Sequence, residues 1–246
     1  MSELSGLSAL VTGGTSGIGR ATALTLARRG ARVALSGRNE RRGKEVVAEI
    51  EAIGGTAVFI PADLRGEVSA RALARDAVAR LGQVDVLVNN AGSYPSGPTE
   101  QMTEADFDAV YAINVKAPYF LVAELAPQMA ARGHGAIINV TTMAAEFGIA
   151  GTSLYGSSKA AVVLLTKAWT AEYGSRGVRV NAVSPGPTRT EGTAAYEGFD
   201  ELAATTPAGR PGTPEEIAEA IAFLADSRAN FVYGAILPVD GGRTAV

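Results

Sequence analysis

Tyr155 and Lys159 stand four positions apart in the stretch GTSLYGSSKAAV at 151–162. On a helix that spacing puts both side chains on one face. A phenol is a poor acid or base at neutral pH, with a pKa near about 10. A cation held close favours the phenolate, and each unit of lowering is worth about 1.4 kcal/mol. A phenol tuned in this way can give a proton to a carbonyl oxygen or take one from an alcohol. Other candidates for chemistry are scarce, because the 246-residue chain has no cysteine and a single histidine. That histidine, His134, falls in a loop without a ligand partner and reads as solvated, so no metal site is expected. Taken alone, the Tyr–Lys pair reads more readily as a core-edge tyrosine beside a solvated lysine. What surrounds it must decide.

The elements that would position the pair are short β-rich runs alternating with helical ones. Candidate strands are Leu7–Val11, Arg32–Ser36, Ala57–Ile60, Val84–Asn89, Ala136–Val140, Val178–Val183 and Ala235–Val239. Between them, Val46, Ile50 and Ile53 share one helical face that stops at Gly54-Gly55. Ala70, Leu73, Ala77 and Leu81 form a second stripe that ends at Gly82. Thr213-Pro214-Glu215-Glu216 is a capping box with proline at the first helical position, starting a helix buried through Ile217, Ile221 and Leu224. This alternation predicts an α/β fold with one parallel sheet covered on both faces. Such sheets bind ligands beyond the carboxyl ends of their strands. No linker or repeat interrupts the chain, so residues 1–246 read as one domain.

Composition narrows the function classes. Net charge is −3 and there is no basic block, so nucleic acid is not an expected partner. The absence of cysteine fits a cytoplasmic protein. The first residues lack the pattern of a secretion signal, and no apolar run reaches the roughly 18 residues of a membrane helix.

Several loops at strand ends look built for a dinucleotide. The first strand runs into Thr12-Gly13-Gly14-Thr15-Ser16-Gly17-Ile18-Gly19 and then a helix. That arrangement aims backbone N–H groups and a helix N-terminus at a pyrophosphate, although a plain tight turn is the alternative. The glycines at 13, 17 and 19 give G-x-x-x-G-x-G, and no Lys-Ser/Thr follows to make a Walker loop. At the end of the second strand, Gly37 stands where an acid would accept ribose hydroxyls, and Arg38 follows. A missing carboxylate and an added guanidinium favour a 2′-phosphate, hence NADP over NAD. Asp63, followed by Leu64 after the third strand, could take the adenine amine or serve equally as a turn aspartate. Asn90-Ala91-Gly92 after the fourth would let backbone approach a flat ligand, or be a simple turn.

Together these pieces resemble the short-chain dehydrogenase/reductase family in its single-domain form. The resemblance covers nearly the whole chain and rests on TGGTSGIG at 12–19, NNAG at 89–92, Asn114 in INVKAP, YGSSK at 155–159, PGPTRT at 185–190 and VDGG at 239–242. It implies a doubly wound, Rossmann-type seven-stranded sheet that binds NADP(H), or alternatively NAD(H), and hydride transfer to or from a carbonyl or alcohol. It gives Tyr155 the acid–base role and Lys159 a second duty on the nicotinamide ribose. Asn114 would hold a water leading to Lys159, and Pro185, Gly186, Thr188 and Thr190 would contact the nicotinamide end. That proline-rich loop is equally a rigid turn. The family's serine, thirteen residues before the tyrosine, is replaced by Thr142. Threonine keeps the hydroxyl donor that a developing alkoxide needs but adds a methyl. Thr141 beside it should point away by strand alternation.

The segment Glu191–Arg210 follows the cofactor loop and is expected to form a lid over about 190–210, with Tyr196, Phe199 and Leu202 offering apolar contact. A medium-sized ketone or acyl substrate fits that lining. Similarity to 3-oxoacyl-carrier-protein reductases raises an acyl carrier protein as partner. Arg176 matches one docking position, whereas Gly133 occupies the other with Arg132 next to it. A sugar or polyol dehydrogenase of the same family, and a non-catalytic dinucleotide-binding regulator, are the alternatives. The family assembles as homotetramers, and the apolar run Phe231–Val239 suits either an interface or core packing. Trp169 reads as packed in a helix face or at an interface.

Overall fold

The computed structural model describes residues 3–194 and 198–246. The chain runs β1 (Ser8–Val11), α1 (Gly17–Arg28), β2 (Arg32–Gly37), α2 (Glu40–Ala52), β3 (Thr56–Pro61), α3 (Glu67–Leu81) and β4 (Val86–Asn89). It continues through α4 (Glu104–Tyr111), α5 (Ala117–Arg132), β5 (Gly135–Val140), α6 (Ser153–Tyr173), β6 (Val178–Pro185), α7 (Phe199–Ala204), α8 (Pro214–Ala225) and β7 (Ile236–Val239). The seven strands form one sheet in the order β3-β2-β1-β4-β5-β6-β7, and every pairing is parallel. Chain order reverses between β1 and β4. The crevice beyond their carboxyl ends is where such sheets hold ligands.

Strand alternation divides the core in two. Ala9, Val11, Val86, Val88 and Ile138 face α1, α2 and α8, meeting Leu26, Ile50 and Ile221. Leu10, Leu87 and Ile137 point the other way, onto α3, α5 and α6, meeting Leu73, Leu125 and Trp169. Burial on both faces explains why the strands read as short apolar runs without alternation. Trp169 is therefore a buried residue of a helix face, tilted against Tyr119 at 6.1 Å.

The helix stripes hold with one exception. Ala70, Leu73, Ala77 and Leu81 are all buried, as are Val46 and Ile50, but Ile53 is 48% exposed. Ile53 is the C-cap of α2 and has left the helical periodicity. The C-terminal run divides: Val232, Leu237 and Val239 pack against the core, whereas Phe231 is 99% exposed. His134 is half exposed, with Nδ1 3.8 Å from the buried Asp85. Among the described residues no helix is long and apolar enough to cross a membrane.

The Thr213 capping box forms as its sequence requires. Thr213 Oγ1 accepts from Glu216 N, and Glu216 Oε2 accepts from Thr213 N. Arg210 donates to the same carboxylate, and that hydrogen bond, first, with the Thr213 amide next, holds the Glu216 carboxyl down at about 2. Thr213→Ala is expected to lower stability by about 1 kcal/mol, read as a shifted denaturant midpoint at unchanged slope.

Candidate active site

A single cavity of about 570 Å³ opens at the carboxyl ends of the strands and runs from Arg38 to Phe199 and Leu202. That volume lies within the roughly 300–1,000 Å³ of ligand sites. One end is built where α6 meets the end of β5. Gly156, beside Tyr155, lies so close to the β5 end that a Cβ there would stand 2.7 Å from Ala144 O. This approach brings the Tyr155 phenol to the same cavity wall as the Thr142 side chain, near enough for Thr142 to act on its pKa. One turn further along α6, Lys159 Nζ donates to Val140 O at 2.8 Å. Thr142 caps a 3-10 turn, its Oγ1 accepting from Ala144 N at 3.3 Å. Thr141 borders the cavity, which alternation did not anticipate, but its hydroxyl is committed to Val183 O at 3.0 Å.

The electrostatics differ from the expectation of a phenol lowered by its lysine. Burial pushes Tyr155 up to about 12, against a lowering effect of the Thr142 side chain, and Tyr94 adds a smaller push upward. Burial also pushes Lys159 down to about 8. Desolvation penalises the charged form of each group. The ammonium is directed to the Val140 carbonyl rather than to the phenol.

Asn114 does not border the cavity. It lies in a π-helical turn, Ala112–Lys116, between α4 and α5. Its Oδ1 accepts from Ser93 N at 2.8 Å, while Nδ2 donates to Ser93 O and Ser158 Oγ, both at 2.9 Å. A Cβ on Gly92 would stand 3.1 Å from Asn114 Oδ1 and 3.4 Å from Lys159 Nζ, so Gly92 lies between the two.

The glycine loop is tied to β4. Thr12 Oγ1 accepts from Asn90 N and Ala91 N at 3.0 Å each, and Asn90 Nδ2 donates to Thr12 O and Gly13 O. Asn90 thus spends its side-chain amide on the loop, while the residue itself borders the cavity. Gly13 has φ +65°, and a Cβ on Gly19 would fall 2.2 Å from Gly13 O. Only glycine lets α1 start this close to the turn. Thr15, Ser16, Gly17 and Ile18 complete the wall here, with Ala91 and Gly92 opposite.

Asp63 and Leu64 border the cavity at the β3 side, where Asp63 Oδ2 accepts from Arg65 Nε at 2.6 Å. At the end of β2, Ser36 is buried and its hydroxyl has no partner. Gly37 faces Thr15 so closely that a Cβ would stand 2.7 Å from the Thr15 methyl. Arg38 is exposed and lines the cavity. Pro185, Gly186, Thr188 and Thr190 border it on the β6 side, as expected. Phe199 and Leu202 line the substrate end, while Tyr196 lies outside the described residues. Sequence reasoning missed Tyr94, edge-on to Tyr155 at 6.2 Å, and Glu191, which reaches the start of α1. Neither carries a spacing signal. Among the described residues no group of acidic, histidine or cysteine side chains could hold a metal.

With this geometry in hand, the comparisons decide the family. A family model described as enoyl-(acyl carrier protein) reductase matches residues 13–244. A solved structure described as a short chain dehydrogenase/reductase family protein is 50% identical, with a TM-score of 0.91 over 99% of this chain and 100% of that one. The chain belongs to the short-chain dehydrogenase/reductase family. It is an oxidoreductase of the kind that acts on CH–OH and C=O groups. It is also similar to the cis-4-hydroxycyclohexanecarboxylate dehydrogenase of Sinomonas cyclohexanicum, 41% identical over 97% of this chain and 96% of that protein. A blue fluorescent protein from a metagenomic library, solved in complex with NADPH, is 37% identical with a TM-score of 0.93, over 98% of this chain and 99% of that one.

Two features of the site fit the dinucleotide that this family binds. The glycine turn and the start of α1, which no side chain of its own caps, line the cavity, and Ser36 Oγ is an orphaned buried hydroxyl at the cavity edge. The lowered Lys159 has a measurable consequence. Between about pH 8 and the ordinary lysine value of 10.5, the unfolded chain holds a proton there that the folded chain has lost. Stability contributed by this position therefore rises with pH through that window. The melting temperature of the wild type relative to Lys159→Met should climb from pH 8 to about pH 10; a constant difference would show that Lys159 titrates normally.

Proposed function

We propose that this chain is an NADP(H)-dependent carbonyl reductase that interconverts a medium-sized, largely apolar ketone and its secondary alcohol. The observation that carries this reading is one continuous cavity with Thr142, Tyr155 and Lys159 at one end and Arg38 beside Gly37 at the other. The glycine turn from Gly13 to Gly19 would hold the pyrophosphate, Asp63 and Leu64 the adenine side, and Ala91 and Gly92 the ribose. Lys159 and the Pro185–Thr190 loop would hold the nicotinamide end. Bound there, the nucleotide supplies or accepts the hydride.

The 2′-phosphate preference rests on three neighbours. Arg38 has no hydrogen bond or ion pair among the described residues, so its guanidinium is free for an anion. Ser36 has a hydroxyl to satisfy. The Thr15 methyl crowds position 37, where an acidic side chain would select the unphosphorylated ribose.

At the reacting end, the Tyr155 phenol would donate its proton to the carbonyl oxygen; burial pushes it up to about 12 and so weakens it as an acid, which the Thr142 side chain opposes. The Thr142 hydroxyl supplies a second donor to the developing alkoxide. Lys159, still largely charged below about pH 8, favours the phenolate left behind. Asn114 acts from behind this wall, holding Ser93 and Ser158 and so the seat of Gly92 and the start of α6. Met143, Ile149, Phe199 and Leu202 give the substrate end its apolar lining, with α7 and the loop before it as the lid.

Carrier-protein docking draws less support. Arg176 stacks on Tyr173 at 4.7 Å and donates to Glu172 O, and Arg132 donates to Val84 O at 2.7 Å. Both arginines are already engaged by their own fold. The exposed Phe231 supports a subunit interface near β7, and with it the homotetramer. The cysteine-free chain suits a cytoplasmic setting.

Oxidation of NADPH with a panel of neutral ketones tests the reading. Tyr155→Phe should abolish turnover, Thr142→Ser should retain it, and Thr142→Ala should lose about 100-fold or more in kcat, as removal of an alkoxide donor does. Wild-type turnover by Tyr155→Phe would refute the mechanism. In the same assay, Arg38→Ala should raise KM for NADPH by about tenfold or more while leaving that for NADH nearly unchanged. Equal effects on both nucleotides would refute the role of Arg38.

A further inference from the structure

Glu191 is used by none of the steps above, yet it reaches the start of α1 in the cavity wall. Its Oε2 accepts a 3.0 Å hydrogen bond from Gly17 N, 174 positions away in the chain. Gly17 opens α1, whose N-terminus has no side-chain cap and no acidic residue in its first turn. The unpaired amides and positive end of such a helix attract an anion. Glu191 supplies one from a distant loop, and it borders the same cavity as the glycine turn.

In the nucleotide-binding reading, on which this inference rests, the anion due at this helix end is the pyrophosphate. A carboxylate and a phosphate cannot share one N–H, and at that range like charges repel. We propose that Glu191 is an internal competitor of the cofactor. Its carboxylate caps α1 in the free protein and leaves when the dinucleotide seats, so this one side chain sets cofactor affinity.

The loop that carries Glu191 transmits the exchange to the substrate end. Thr190 N donates to Thr193 Oγ1 at 2.8 Å, Thr193 N to Thr190 Oγ1 at 3.2 Å, and Thr193 Oγ1 to Thr188 O at 3.0 Å. Residues 188–193 are thereby cross-tied by hydrogen bonds. Gly192 in this unit lies against Tyr94, so closely that a Cβ would come within 1.8 Å of the Tyr94 hydroxyl. Tyr94 in turn stands edge-on to Tyr155. Release of Glu191 from Gly17 shifts the backbone that packs on this wall, which links the shape of the substrate end to cofactor occupancy.

The test is NADPH affinity, measured by fluorescence titration on the wild type, Glu191→Gln and Glu191→Ala. Glutamine keeps the size and one acceptor but removes the charge, and alanine removes both. Both variants should bind NADPH about two- to tenfold more tightly, the range spanned by a charge at a helix end and an exposed charge-assisted hydrogen bond. In the absence of nucleotide, amide exchange across 188–194 should be faster in Glu191→Ala than in the wild type. An unchanged or weaker affinity in both variants, with wild-type binding intact, would overturn the competitor role and leave the nucleotide reading standing. No NADPH binding by the wild type would overturn the nucleotide reading itself and this proposal with it.

Discussion

The approach of α6 to the carboxyl end of β5 is the contact on which the site depends. Gly156 permits it, because any side chain there would strike the Ala144 carbonyl. With the helix seated this closely, Tyr155 reaches Thr142 and Lys159 reaches the Val140 carbonyl. The glycine in YGSSK is thus as consequential as the tyrosine and lysine that flank it. A helix displaced by the width of a methyl would leave both side chains in the cavity but separate them from their partners.

That seating also sets the electrostatics. Packing against a parallel sheet removes water from the phenol and the ammonium alike, and the charged form of each is disfavoured. The protonated phenol is the form that reduction needs, but burial also weakens it as an acid, and the Thr142 side chain acts against that shift. Behind the wall, Asn114 occupies a π-helical turn and saturates its amide on Ser93 and Ser158. A π-turn inside a helix is uncommon and accompanies function. Here it brings an asparagine inward where α4 passes into α5, and so sets the position of Gly92 between Asn114 and Lys159.

At the other end of the cavity, backbone rather than side chains carries the design. Thr12 and Asn90 lock the glycine turn to β4 with four hydrogen bonds, which leaves the amides at the start of α1 to face the cavity. The uncapped helix end draws Glu191 across from the β6 side. Thr15 and Gly37 form a matched pair in which the methyl of one occupies the space a side chain on the other would need. Cofactor selection is therefore written in sterics as well as in the charge of Arg38.

Much of this protein was legible in its order of residues, because local rules govern it. Strand runs, glycine stops and the Thr213 capping box depend on neighbours a few positions apart, and seven short apolar runs alternating with helices leave a parallel sheet as the economical fold. The i, i+4 spacing of Tyr155 and Lys159 likewise needed only a helix. Other features waited for the tertiary structure. Ile53 continued a stripe on paper but fell beyond the helix end. Asn90 borders the cavity, and its side-chain amide ties it to a loop 77 positions away. The upward push on Tyr155 comes from burial, which no spacing records. Glu191 found Gly17 across 174 residues of chain. Sequence by itself determined the elements, their alternation and the chemical types brought to the strand ends. Only the folded chain decided which of those groups touch, because burial and long-range hydrogen bonds arise from the closing of the sheet and not from any local pattern.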